Sequence, residues 1–241
     1  MEALAFDLGN TNCSVYYLNS DVIYLVEKTD VENLNNDFFE RLCEIYKASC
    51  FILSSVNPKL NDLFTNFFQE KLHIVNFEDA FFLSNYKTMK TLGSDRICNC
   101  LGAIKLYKKN VIVFDFGTCL TAEVINPEGI FVGGFIFPGP NLLFSSMNRG
   151  TGLLPMINFE RPENFSGLST EESLKFGVYH GLTGLCKELV ASVQKEYNSK
   201  FRIIATGGYP EFFKNEFSDN WEIIKDLSAI GMKEIVKKRY E

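Results

Sequence analysis

The chain has 241 residues, 46% of them hydrophobic, enough to bury one large core or two small ones, since a domain usually takes about 100–200 residues. Its 24 Lys and Arg against 30 Asp and Glu give a formal net charge of −6, and with no basic cluster interleaved with aromatics this argues against nucleic acid as a partner. No apolar run approaches the roughly 18 residues that span a bilayer, which argues against a membrane partner.

The start, "MEALAFDLGN", has an acid at position 2 and leaves no room for a basic segment followed by an apolar one, so no secretory signal is expected. The seven cysteines are odd in number and mostly sit in apolar segments, where a reduced thiol behaves as a small hydrophobe; the expected location is cytoplasmic. Cys98-Asn99-Cys100 has the wrong spacing for a zinc site. With only His73 and His180 available, Ser-His-Asp or Cys-His chemistry is poorly supported, and a carboxylate is the expected general base.

In chain order, β-rich runs at 2–7, 13–18 and 21–26 precede a helical pattern at 33–47, with Leu34, Phe38, Phe39, Leu42 and Ile45 on one face. "CFILSSV" (50–56) reads as a strand, Pro58 opens a helix running to about 72, and "HIVNF" is a further strand. A polar stretch at 84–94 leads to a helix over about 95–107. Strands at 111–116, 119–125 and 130–137 then repeat the opening three, the last ended by Pro138-Gly139-Pro140. A long helix at about 170–197, "FRIIATGG", a helix near 209–216, a short strand at 221–225 and a helix at 228–239 complete the chain, with apolar helix faces near 139–147 and 170–190. The pattern predicts an α/β protein made of two duplicated domains, 1–108 and 109–241.

The two opening strands of the halves end alike, in "FDLGNTN" (6–12) and "FDFGTCLT" (114–121). A strand that ends in Asp and turns through Gly sets a carboxylate beside backbone N–H groups, since Gly lets the chain double back without a side chain in the way. One such turn is most readily an ordinary hairpin closure. Two at equivalent places, Asp7 and Asp115, point to phosphate held with its cations. "IIATGG" (203–208) adds a third strand emptying into bare backbone, against which a nucleotide's base or sugar could lie.

The order strand–DxG, strand–DxGT, strand–TGG resembles the acetate and sugar kinase, Hsp70 and actin superfamily. Within it, "DLGNTN", "GSDRICNCLGA" (93–103), "VIVFDFGTCLTAEVINPEG" (111–129), "VGGFIFPG" (132–139), "LLP" (153–155) and "IIATGG" look like the successive motifs of type III pantothenate kinase over nearly the whole chain. The resemblance implies duplicated RNase H-like domains with an interdomain ATP cleft, and ATP-dependent phosphorylation of pantothenate to 4′-phosphopantothenate in coenzyme A biosynthesis. By the same resemblance Asp95 accepts the proton of the pantothenate hydroxyl. Tyr86, Gly93, Ser94, Arg96 and Thr170 form the pantothenate pocket with it. Asp7, Leu8, Gly9, Asn10, Thr11, Asn12, Thr118 and Gly207 contact ATP, with Asp7 near its Mg²⁺, and Asp115 ligates a monovalent cation, K⁺ or NH₄⁺. A homodimer is implied too.

The residues carry plainer readings beside these. Ser94 reads as an N-cap and Asp95 as the first helical residue, where acids are common. Arg96 could meet a carboxylate two-pronged or be a surface Arg. Asp115 could sit instead in a Mg²⁺ shell. Ser169 through Glu172 spells a capping box, which would make Thr170 a helix start. Cys119 and Pro140-Asn141 depart from the family pattern, and no Pro closely follows Tyr86. The competing functions are a nucleotide-binding regulatory or accessory protein without turnover, and a kinase for another small alcohol.

Overall fold

Side-chain alternation in each opening meander turns one face of a sheet toward helices. In the computed structural model, which describes residues 2–163, 166–216 and 221–240, β1 (Ala3–Leu8), β2 (Asn12–Leu18) and β3 (Ile23–Asp30) pair antiparallel. After α1 (Asn36–Ile45), β4 (Cys50–Ser55) lies parallel to β1; α2 (Pro58–Phe68) leads to β5 (Leu72–Ile74), parallel to β4. The order is β3-β2-β1-β4-β5.

After α3 (Ser94–Tyr107) the pattern repeats. Strands β6 (Val111–Phe116), β7 (Cys119–Ile125) and β8 (Phe131–Pro138) are antiparallel, and β9 (Arg202–Gly207) and β10 (Trp221–Ile223) add in parallel, in the order β10-β9-β6-β7-β8. Read from the β8 edge, this is the arrangement of the first sheet. Helices α4 (Pro140–Gly150), α5 (Thr170–Glu196), α6 (Pro210–Phe213) and α7 (Leu227–Tyr240) complete the described elements.

Local chemistry explains where the elements begin. Asn35 caps α1 by accepting from the Phe38 N–H at 2.9 Å, and Pro58 and Pro140 open α2 and α4, where a missing N–H costs nothing. The third strand runs beyond the expected residue 26 because its polar end still pairs with β2, Asn12 opposite Asp30. A 3₁₀ turn at Val31–Asn33 then delays α1 to residue 36.

By contacts the chain forms two units, Met1–Lys108 with Asp226–Glu241, and Lys109–Lys225. In the first, Leu4, Phe6 and Leu8 of β1 face a core shared with α1 and α2. Phe6 lies 5.9, 5.2 and 5.4 Å from the rings of Phe39, Phe64 and Phe68, contacts that add about 0.5–1.5 kcal/mol per pair beyond their burial. The other face of β1 carries Ala3, Ala5 and Asp7. Helix α7 packs on β1, and α3 packs on β4.

The terminal helix is where the structure departs from the expected 109–241 division. Helix α7 packs on α3 in the first unit because two glycines let the backbones approach. A Cβ at Gly231 would collide with the Cys98 carbonyl, and one at Gly102 with the Leu227 carbonyl. In the second unit, Phe114 and Phe116 of β6 join Phe144, Phe159, Tyr179 and Phe213 in one core, with Phe213 stacked on Phe116 at 4.8 Å and on Tyr179 at 5.2 Å. No helix among the described residues is long and apolar enough to cross a membrane.

Candidate active site

In the first unit the chain leaves β1 at Asp7-Leu8 and turns through Gly9. The Gly9 N–H donates to the Asn12 carbonyl at 2.9 Å, closing a tight turn whose tip residues, Asn10 and Thr11, are exposed. Leu8 was expected at the nucleotide, but its side chain is core, which leaves only its backbone to offer. Asp7 points to the opposite face. Its cross-strand neighbours are Ser14 on β2 and Ser54 on β4, and Ser14 is opposite Lys28 on β3, so a polar row crosses the sheet at this level.

The Asp7 carboxyl is partly buried, and burial raises its pKa from the ordinary 3.8 to about 6; the Asp95 charge pushes the same way, while a hydrogen bond from Ser228 and the Lys28 charge oppose the rise. Asp7 and Asp95 thus belong to one electrostatic site.

Asp95 comes from the start of α3. The helix begins at Ser94 with Gly93 as its cap residue, so Ser94 is not the N-cap and Asp95 is the second helical residue, not the first. The Ser94 hydroxyl donates to the Ser55 carbonyl at 3.0 Å and accepts from Ser54 at 3.2 Å; it ties the helix start to the end of β4. Gly93 leaves room that a Cβ would take from the Asp95 carboxylate. Asp95 Oδ1 accepts from the Arg96 N–H at 2.8 Å. Burial raises the Asp95 pKa, against that backbone bond and the Arg96 charge. Arg96 is not a surface Arg: it is buried, and its guanidinium lies 5.9 Å from the Tyr86 ring centroid. Tyr86, Gly93, Asp95 and Arg96 therefore do come together.

The second unit has its own acidic turn. Asp115 sits one residue before the end of β6, on the face away from the Phe114 and Phe116 core, as Asp7 does on β1. Thr121 is directly opposite on β7 and Thr206 adjacent on β9. The Thr121 Oγ1 is buried without a hydrogen-bond partner. Gly207 needs its glycine: φ is +94°, and a Cβ would strike the Asp115 carboxylate. The Gly208 and Tyr209 N–H groups both donate to the Phe116 carbonyl, at 2.9 and 3.2 Å.

Thr118 is exposed at the tip of the β6–β7 turn. Gly139, the cap residue of α4, donates its N–H to the Thr118 carbonyl at 2.9 Å. The unusual Asn141 has a partner, donating from Nδ2 to the Tyr209 hydroxyl at 2.8 Å. Thr170 is exposed as the first residue of α5. The expected capping box is half formed: Ser169 accepts from the Glu172 N–H at 3.2 Å, but the Glu172 carboxylate accepts from the Leu168 N–H at 2.7 Å.

These donor sets suit hard cations. Among the described residues no three His, Cys, Asp or Glu cluster to hold a metal ion; each acidic turn offers one carboxylate with hydroxyls around it. That suits a divalent ion that takes one or two carboxylates and fills its remaining positions with substrate phosphates and water. Asp115 beside the unpaired Thr121 hydroxyl suits an oxygen-liganded cation as well. Sequence reasoning gave no role to Ser228, Thr121 or the serines at the end of β4: Thr121 lies within "FDFGTCLT" and Ser228 within "DLSAIGM" (226–232), a loose version of the family's terminal segment, but neither stretch signals the contact.

The family model of type III pantothenate kinase matches residues 3–192. The type III pantothenate kinase of Endomicrobium trichonymphae is 34% identical, covering 98% of each chain. The crystal structure of a Campylobacter jejuni protein described as a Baf family transcriptional activator superposes with a TM-score of 0.63 at 25% identity over 98% of each chain. ADP-bound MreB5 of Spiroplasma citri, at 14% identity and a TM-score of 0.54 over 99% of this chain and 97% of its own, shares the fold. With the family model spanning most of the chain and a relative this similar over its whole length, the chain belongs to the type III pantothenate kinase family.

Proposed function

We propose that the chain transfers the γ-phosphoryl group of ATP to the primary hydroxyl of pantothenate, giving 4′-phosphopantothenate for coenzyme A biosynthesis. What supports this beyond family membership is that Asp95 is near enough for its charge to raise the Asp7 pKa, with a buried Arg96 following Asp95 at the start of α3. Phosphoryl transfer proceeds through a loose transition state, so the protein's work is to position the reactants and stabilise charge. Asp95 accepts the proton of the attacking hydroxyl. Arg96 meets the pantothenate carboxylate, with Tyr86 and the bare Gly93 shaping the pocket and Thr170 adding a hydroxyl. The turn at residues 7–12, Thr118 and Gly207 receive the nucleotide.

The divalent ion that accompanies ATP, Mg²⁺ in this reading, neutralises phosphate charge when bound. Asp7 would hold it: a partly buried carboxylate beside a second one gains most from a cation. Asp115 and Thr121 would hold K⁺ or NH₄⁺, which satisfies the otherwise unpaired Thr121 hydroxyl. The chain acts as a homodimer through the apolar groove of α4 and α5, lined by Leu143, Met147, Leu174 and Val178; Gly177, Gly181 and Gly184 of α5 have open space where a Cβ would be. Light scattering reading a monomer at working concentration would remove the dimer.

The test is pantothenate-dependent ADP release with ATP, Mg²⁺ and K⁺, run beside pantetheine and simple sugars. An equal rate with and without pantothenate rejects the proposal. A sugar outpacing pantothenate reassigns the substrate. The resemblance to the protein described as a transcriptional activator favours a second reading, a nucleotide-binding regulator; nucleotide binding without turnover on any alcohol would support it.

A further inference from the structure

Helix α7 reaches the site at its first turn. The Ser228 hydroxyl donates to Asp7 Oδ2 at 2.6 Å, a contact between residues 221 positions apart in sequence. This is the length of a charge-assisted O–H···O⁻ bond. Ser228 is itself buried, 7% exposed. A serine hydroxyl has one proton to give, and here it goes to one carboxylate oxygen.

The helix that carries Ser228 is held along its length. Near its start, Gly102 and Gly231 let α3 and α7 meet backbone to backbone. At its far end, Arg239 lies 3.8 Å from Asp79, and Lys238 lies 4.0 Å from the centre of the Phe81 ring. Asp79 is buried and bound to His73 at 2.8 Å and to the Asn76 N–H at 2.9 Å. The hydroxyl therefore comes from a rigid element, so it can select one rotamer of Asp7.

We infer that Ser228 is a positioning residue for Asp7: by engaging Oδ2 it orients the carboxylate and leaves Oδ1 to take the divalent ion of the metal–ATP complex. This rests on the reading of Asp7 as that ion's ligand. Hydrogen bonds that orient a ligating carboxylate typically change metal affinity about 10–100-fold when removed. The motifs that brought Asp7 to attention contain no trace of this partner.

The experiment measures Mn²⁺ binding in the presence of the β,γ-imido analogue of ATP, by electron paramagnetic resonance, for the parent chain, Ser228→Ala, Ser228→Cys and Ser228→Thr. Pantothenate is absent, so failure of the kinase reading, seen as no pantothenate-dependent ADP release by the parent, is distinguishable from failure here. Alanine is expected to weaken Mn²⁺ binding about 10–100-fold, with Thr restoring it and Cys, similar in volume but a weak donor, resembling Ala. In turnover, the Mg²⁺ concentration for half-maximal rate should rise while the KM for pantothenate stays put. Unchanged Mn²⁺ affinity in Ala or Cys overturns the inference. So does a Thr variant no better than Ala, or a loss of thermal stability in Cys with its metal dependence intact. Should Ala fail to fold, the comparison of Cys with Thr decides.

Discussion

Replacing Asp7 by Asn should make the apo protein more stable and unable to use ATP. The carboxyl's pKa is raised from 3.8 to about 6, chiefly by burial. The folded chain therefore holds a proton that the unfolded chain has already released. The stabilisation this brings is complete below about pH 4 and lost as pH rises through about 6. At 1.36 kcal/mol per pH unit, the ionised carboxylate costs the fold up to about 3 kcal/mol at pH 7.5. Asparagine removes that charge while its carbonyl still accepts from Ser228. After allowing for the desolvation of the amide itself, a gain of about 1–3 kcal/mol at pH 7.5 is expected, shrinking to almost nothing near pH 4.

The assay is urea unfolding in EDTA across this pH range. It should be followed by far-UV circular dichroism, because the single tryptophan, Trp221, lies in the other unit and would report that unit. Binding of Mn²⁺ with the ATP analogue, measured on the same samples, should be lost. A variant less stable than the parent at pH 7.5, or a difference that does not change with pH, refutes the electrostatic account of the site.

Three further outcomes follow from the geometry. Asp95→Asn should lower kcat by about 10²–10⁴ while leaving nucleotide binding intact; in the parent, the acid limb of the kcat profile should lie above the ordinary carboxylate range because burial raises the Asp95 pKa. Gly231→Ala places a methyl on the Cys98 carbonyl and should cost about 1–3 kcal/mol in urea unfolding, with weaker metal–nucleotide binding as Ser228 shifts. Thr121→Val removes a buried hydroxyl that has no protein partner; it should leave stability equal or higher but raise the K⁺ concentration needed for half-maximal rate several-fold, read from ADP release against KCl.

Much of the fold was legible because both halves announce themselves in the same way: β-rich runs broken by turn residues in the meanders, 3.6-residue spacing in α1, and Pro58 at the start of α2. The acidic turns were legible because Asp-x-Gly at a strand end has few uses when it recurs. What could not be read is of another kind. The Ser228–Asp7 bond joins the two ends of the chain, and no local pattern encodes a partner so distant. The placement of α7 depends on Gly102 and Gly231 meeting opposing backbone, whereas an isolated helical glycine reads only as a weak spot. Ser94 looked like a cap because Ser before Asp usually is one. Its hydroxyl goes to β4 instead, an option visible only once that strand is alongside.

The departure of the chain from the first unit after Lys108 and its return at Asp226 has a consequence for biosynthesis. While the protein is being made, helix α7 cannot reach the alanine-bearing side of β1 until every residue of the second unit has been synthesised. A nascent chain that stops early leaves that side without α7 and Asp7 without its serine. The first unit is thus completed only after the whole of the second has been made, by the segment that follows it.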